Sequence, residues 1–148
     1  MVEFAFIAPL LAGIVAFFLP PNAGRPLLVL TGAAHLAVAI MLWGLRPAAF
    51  FPAYFAVTPE GLLSLLVISL LFVLIAIYTT AYLKAAEIRS EHIFTGSMLL
   101  FLSTMTMVTL SDHIMVMWIA IEATTLASAP SVSYTHLRAH ETLTPISY

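Results

Sequence analysis

The chain contains no cysteine. That excludes structural disulfides, thiolate metal sites and cysteine nucleophiles together. Charge is nearly as scarce. Asp, Glu, Lys and Arg make up 8% of the 148 residues, five basic and seven acidic side chains giving a formal net charge of −2. A soluble domain carries roughly 25% charged residues, and a nucleic-acid interface needs clustered Lys and Arg. Both classes are excluded, so no nucleic-acid partner is expected. Also missing are a Walker loop, a dinucleotide glycine fingerprint, HExxH and GxSxG motifs, and a repeat of fixed period. No catalytic residue, cofactor or metal site is therefore expected. What the chain has in excess is apolar surface. It is 62% hydrophobic with a mean hydropathy of +1.08, the composition of a protein whose solvent is a lipid bilayer.

Charged residues are absent from 4–24, 26–45, 61–83 and 92–111, and from 113 onward Glu122 is the only one before the C-terminal segment. This predicts an all-α membrane protein with about five transmembrane helices, near 4–19, 27–45, 61–83, 93–110 and 113–130. The longest, 61–83, reaches roughly 34 Å at 1.5 Å per residue, against a hydrocarbon core of about 30 Å. Barrel strands alternate polar with apolar residues, whereas Leu65 to Leu74 is apolar on all sides apart from Ser69. The first span begins with Glu3 and no Lys or Arg, the wrong charge for a signal peptide. Pro20-Pro21-Asn22 should stop it, and Pro26 should fall in the first turn of the second helix, where its missing N–H is harmless.

The connection from Arg46 to Glu60 carries Phe50, Phe51, Tyr54 and Phe55, read as an interfacial aromatic belt. Thr58-Pro59-Glu60 then starts the third helix, with Thr58 as N-cap, Pro59 at its first position and Glu60 at its positive end. That helix closes at Lys84, which can snorkel to the headgroups. Arg25, Lys84 and Arg89 in loops one and three, against Arg46 in loop two, place those loops inside and the N-terminus outside.

After Pro130 the composition changes. Residues 131–148 hold His136, Arg138, His140 and Glu141 and no apolar run. Val132-Ser133-Tyr134-Thr135-His136-Leu137-Arg138-Ala139-His140-Glu141-Thr142 resembles a translated sequencing-adapter string. The segment is read as a non-native, disordered tail on a helical bundle of residues 1–130, its histidines without function.

Glu122 is the first functional candidate. It lies roughly 13 Å into the last span, and an intramembrane charge costs of the order of 2.5 to 3.5 kcal/mol. Met115, Trp118, Thr125 and Ala129 share its helix face. The alternative is a structural carboxyl bonded to Thr125 or to a neighbouring helix. Ala123 and Ala127, and Thr124 and Ser128, form small-xxx-small pairs that favour close helix approach. His35 stands alone mid-way along the second span, either a buried, hydrogen-bonded histidine or a weak candidate for a proton relay. His92 and His113 flank the fourth span about 31 Å apart and cannot share an ion. The Met105/Met107 and Met115/Met117 pairs point in different directions on a helix and read as packing.

The run Ser111-Asp112-His113 through Trp118-Ile119-Ala120-Ile121-Glu122-Ala123-Thr124-Thr125-Leu126-Ala127-Ser128 resembles the fifth transmembrane helix of the antiporter-like subunits shared by respiratory complex I and membrane-bound hydrogenases, most closely the component F family of hydrogenase-4. Pro59-Glu60-Gly61-Leu62-Leu63 and Tyr78-Thr79-Thr80-Ala81-Tyr82-Leu83 resemble that family's third helix, with Glu60 where an Asp is common nearby. The resemblance covers residues 1–130. It implies the N-terminal fragment of a roughly fourteen-helix proton-translocating subunit of the cell's inner (plasma) membrane. Such a subunit is multi-pass with its N-terminus outside, and is partnered by other membrane subunits of an oxidoreductase complex. By the same resemblance Glu122 would pair with a lysine on a later helix that this chain does not contain. A complete five-helix carrier or assembly protein is the alternative, and an intramembrane enzyme using His35 with Glu122 is a third reading.

Overall fold

The computed structural model describes residues 2–45, 47–86 and 91–141. These form five helices, α1 Phe4–Ala16, α2 Pro21–Leu45, α3 Pro59–Ala86, α4 Glu91–Leu110 and α5 Ile114–Glu141. They run up and down, and α4 lies at the centre, in contact with each of the other four. Three stretches are long and apolar enough to cross a membrane: Asn22–Leu45, Pro59–Lys84 and Glu91–Leu110. Among the described residues the chain is all-helical, with three helices of membrane-spanning length and composition.

The inside and outside of the bundle suit a lipid solvent. Leu30, Leu63, Leu74 and Leu126 point outward, while His35, Ser69, Thr95, Ser97, Ser103 and Thr106 are buried. Water would select the reverse. In lipid, apolar surface gains nothing by burial, and polar side chains turn inward to find partners. α3 and α2 meet along a coiled-coil-like seam. The buried positions of α3, Leu62, Leu65, Ser69, Phe72, Ala76, Thr79 and Leu83, step alternately by three and four, as do Leu28, Gly32, His35, Ala39 and Leu42 of α2. This is the spacing that keeps one stripe facing a partner helix.

α1 crosses α4 where two glycines meet. A Cβ on Gly13 would lie 3.1 Å from the backbone nitrogen of Leu100 and 3.2 Å from the carbonyl of Gly96, so the absence of a side chain sets how near these helices come. Pro9 inside α1 has no N–H for the carbonyl of Ala5. One residue on, the Ser103 hydroxyl of α4 donates to the carbonyl of Phe6 at 2.7 Å.

Several boundaries differ from those expected. α1 is 13 residues long, about 20 Å, although i→i+3 bonds from Phe17, Phe18 and Leu19 prolong it as a tight turn towards the expected limit of 19. Among the described residues three stretches meet the length requirement. α2 starts at Pro21, not near residue 27. The carbonyl of Pro20 accepts from the backbone of Ala23 and Gly24 at 3.0 Å each, so the same Pro-Pro pair that ends α1 opens α2, and Pro26 lies inside the helix. α5 continues to Glu141, past the boundary expected at 130; residues 142–148 lie outside the described residues.

The end of the bundle opposite Arg25 is closed by residues 47–58. Thr58 caps α3 as expected, its hydroxyl accepting from Gly61 N at 3.1 Å. Of the four aromatics, Phe50, Phe51 and Tyr54 are exposed, whereas Phe55 is buried against Phe6 with ring centroids 5.1 Å apart. Backbone bonds from Ala56 to Leu110 at 3.0 Å and from Asp112 to Tyr54 at 2.8 Å tie this loop to the α4–α5 turn.

Candidate functional site

His35 sits on the α2 seam with 4% of its surface exposed, and it is not alone. Its Nδ1 is 2.8 Å from the Ser69 hydroxyl of α3 and its Nε2 is 2.9 Å from the Thr106 hydroxyl of α4. Each hydroxyl also donates to the carbonyl four residues back on its own helix, Ser69 to Leu65 at 2.6 Å and Thr106 to Leu102 at 2.7 Å. One imidazole therefore joins three helices. The ring borders a cavity of about 290 Å³ between α1 and α2, lined by Phe4, Ala5, Ala8, Pro9, Leu30, Thr31, Ala34 and Val38 as well.

Ser69 and Thr106 were the residues that sequence reasoning missed. Taken singly, a serine or threonine in a membrane helix carries no signal. Ser69 becomes visible only once the three-four stripe of α3 is extended through the surrounding leucines, and Thr106 only once α4 is docked.

Glu122 takes the other side of the molecule. It is exposed on α5, together with Met115, Trp118, Thr125 and Ala129, the face that helical spacing assigns to it. Met115 is 56% and Trp118 59% exposed, so the carboxylate projects from an apolar surface near the middle of the helix. Of the two bonds the structural alternative offers, the one to Thr125 is not made: the Thr125 hydroxyl lies 3.0 Å from the backbone carbonyls of both Ile121 and Glu122 and donates its single hydrogen to one of them. Among the described residues no cation reaches Glu122. Of the small-xxx-small pairs, Ala127 is buried and Ala123, Thr124 and Ser128 are half-buried, on a helix that docks on α4.

His35 and Glu122 are not brought together, since α5 packs on α4 and makes no contact with α2 among the described residues. A joint catalytic role for the two has no geometric basis. His92 begins α4 and His113 follows it, at opposite ends, and among the described residues no three His, Asp or Glu side chains converge on a point.

Two further polar sites organise the ends. The Glu3 carboxylate, beside the N-terminus of α1, accepts from the backbone of Phe50 at 2.5 Å and Phe51 at 3.0 Å. Burial pushes its pKa up, but backbone hydrogen bonds from Glu3 itself, Phe51 and Phe50 outweigh this and hold the carboxyl below its ordinary value. At the other end Arg25 pairs with Glu91. Arg25 therefore lies inside α2, neutralised, rather than in a free loop; Arg46 and Arg89 lie outside the described residues.

Comparison with known proteins returns no match at the level of family, curated protein or solved structure.

Proposed function

We propose that the chain is the N-terminal part of an antiporter-like, proton-translocating subunit of a membrane-bound hydrogenase or complex I-like oxidoreductase. In this reading all five helices cross the plasma membrane, with the N-terminus outside, and the remaining helices of a roughly fourteen-helix fold follow. The observation that carries it is Glu122: a carboxylate half-way along an apolar helix, facing away from the rest of the chain. Intramembrane acids pair with something, and this one is aimed at whatever packs next to α5. The resemblance of the Trp118–Ser128 segment supplies the partner, a lysine on a later helix.

The chemistry of such a pair is direct. A carboxylate close to a buried lysine raises its proton affinity, and separating the two lowers it. A movement driven by redox chemistry in neighbouring subunits would then load and release one proton per cycle.

The test joins the native downstream coding sequence to residues 1–130 and measures proton pumping by the assembled complex in inverted membrane vesicles. Glu122→Gln is expected to abolish pumping while assembly persists, and Glu122→Asp to retain part of it. Unchanged pumping by Glu122→Gln, or a downstream sequence without a lysine on an apolar helix, would overturn the reading.

A further inference from the structure

The hydrogen-bond arithmetic around His35 does not close for a neutral ring. A hydroxyl has one hydrogen, and Ser69 and Thr106 each direct theirs to a carbonyl of their own helix, Leu65 and Leu102. Towards the imidazole both hydroxyls therefore accept, so both ring nitrogens donate. A neutral imidazole has a single N–H. The ring donates to both partners only when it carries two protons. If it is neutral, one hydroxyl must rotate away from its carbonyl and donate to the bare nitrogen, Ser69 to Nδ1 or Thr106 to Nε2. The two neutral arrangements are near mirror images. Each gives up one hydroxyl-to-carbonyl bond, on α3 in one case and on α4 in the other.

No fixed charge selects between them. The charged groups of α3 are Glu60 and Lys84 at its two ends. α4 carries Glu91 and the titratable His92 in its first turn, and α1 is preceded by Glu3. Towards the ring α3 presents Ser69 and α4 presents Thr106, while α1 presents Phe4, Ala5, Ala8 and Pro9 across the cavity. The α1–α2 groove that the ring also borders is lined by apolar side chains apart from Thr31.

We propose that His35, Ser69 and Thr106 form a proton-binding site inside the bundle, in which the imidazole takes up one proton from water and can return it to water from either nitrogen. Uptake adds a proton to the bare nitrogen, and the hydroxyl that had been donating there turns back to its carbonyl. Release reverses the step at Nδ1 or Nε2, with no electron transferred and no other bond broken. Release at the second nitrogen leaves the other tautomer. This inference is independent of the role given to Glu122.

The test is ¹⁵N NMR of the full chain, labelled at histidine, in phosphatidylcholine/phosphatidylglycerol nanodiscs, with His35→Gln assigning the signals. The wild type is expected to show both neutral tautomers in comparable amounts and to convert to the doubly protonated ring on acidification. Ser69→Ala should leave only the Nε2–H tautomer and Thr106→Ala only the Nδ1–H tautomer. Each should weaken proton affinity by about tenfold or more through loss of one hydrogen bond to the charged ring. Ser69→Thr, which keeps a hydroxyl, should restore the wild-type pattern and guards against a folding artefact. A single tautomer in the wild type that stays unchanged between pH 5 and 8, or the same tautomer in both alanine variants, would make His35 a fixed structural contact and overturn the proposal.

Discussion

The Arg25 guanidinium grips the Glu91 carboxylate at two points, Nε to Oε2 at 2.8 Å and Nη2 to Oε1 at 2.5 Å, joining the N-terminal turns of α2 and α4. The Glu91 side chain is 4% exposed and that of Arg25 24%. The acid also sits at the positive end of α4, where negative charge is favoured. Glu91→Gln is expected to lower stability, because it leaves the Arg25 guanidinium without its anion. Arg25→Lys keeps the charge but loses the planar fork, and should lose less. Unfolding in mixed micelles titrated with SDS measures both. Equal losses would show that charge, not two-point geometry, holds the pair.

Two glycines should respond in opposite directions. A Cβ on Gly61 would stand 2.5 Å from the backbone carbonyl of Thr109, whereas one on Gly44 meets nothing within 4 Å. Gly61→Ala forces α3 away from the end of α4 and should destabilise by about 1 to 3 kcal/mol. Gly44→Ala, in the last turn of α2, should be neutral or gain up to about 1 kcal/mol of helix propensity. The same micelle titration decides, and a stable Gly61→Ala would mean that the α3–α4 contact yields easily.

Much of the helical plan was legible because charge in a membrane chain marks helix ends. The start of α3 could be read to the residue, since Thr58, Pro59 and Glu60 each state a preference for one position of a first turn. The start of α2 was misplaced because a Pro-Pro pair both stops one helix and serves as the first turn of the next. Absence of charge also overstates span length: it includes Phe17 to Leu19, which the chain uses for a tight turn. Glu91 borders the fourth charge-free stretch, and its match with Arg25, 66 residues away, is fixed only by how α2 and α4 dock. Glu122 was legible as an anomaly, one acid in an apolar run. Its orientation was not, because a helix apolar all round gives no stripe to orient by.

The Glu3 staple makes one end of the bundle acid-sensitive. Its folded pKa lies below the ordinary 4.5, so protonation is harder in the folded state than in the unfolded one. The stabilisation is fully present above about pH 4.5 and is lost as pH falls through the lowered folded value. The ionised carboxylate is what draws the backbone of Phe50 and Phe51 to α1. Glu3→Gln should therefore be less stable than wild type at neutral pH, and the difference should shrink on acidification. Hydrogen exchange at the amides of Phe50 and Phe51, followed from pH 6 to 3, reads this directly. Wild-type protection that holds unchanged to pH 3 while Glu3→Gln is equally protected would remove the carboxylate from the account.

Opposite faces of α5 make opposite demands, which separates a structural glutamate from one held for a partner outside the chain. Ala127 is buried on the face that docks on α4, and Glu122 is exposed on the other. Ala127→Leu inserts volume into a close helix contact and should destabilise by about 1 to 3 kcal/mol. Glu122→Leu removes a charge from an apolar surface and breaks no bond among the described residues, so stability should stay within about 0.5 kcal/mol or rise. Both variants can be compared in nanodiscs by thermal unfolding of the 148-residue chain. If Glu122→Leu loses as much as Ala127→Leu, the carboxylate is holding this bundle together. If it loses nothing, the described residues hold no structural use for the carboxylate, which is the outcome expected of an acid kept for a cation outside α1–α5.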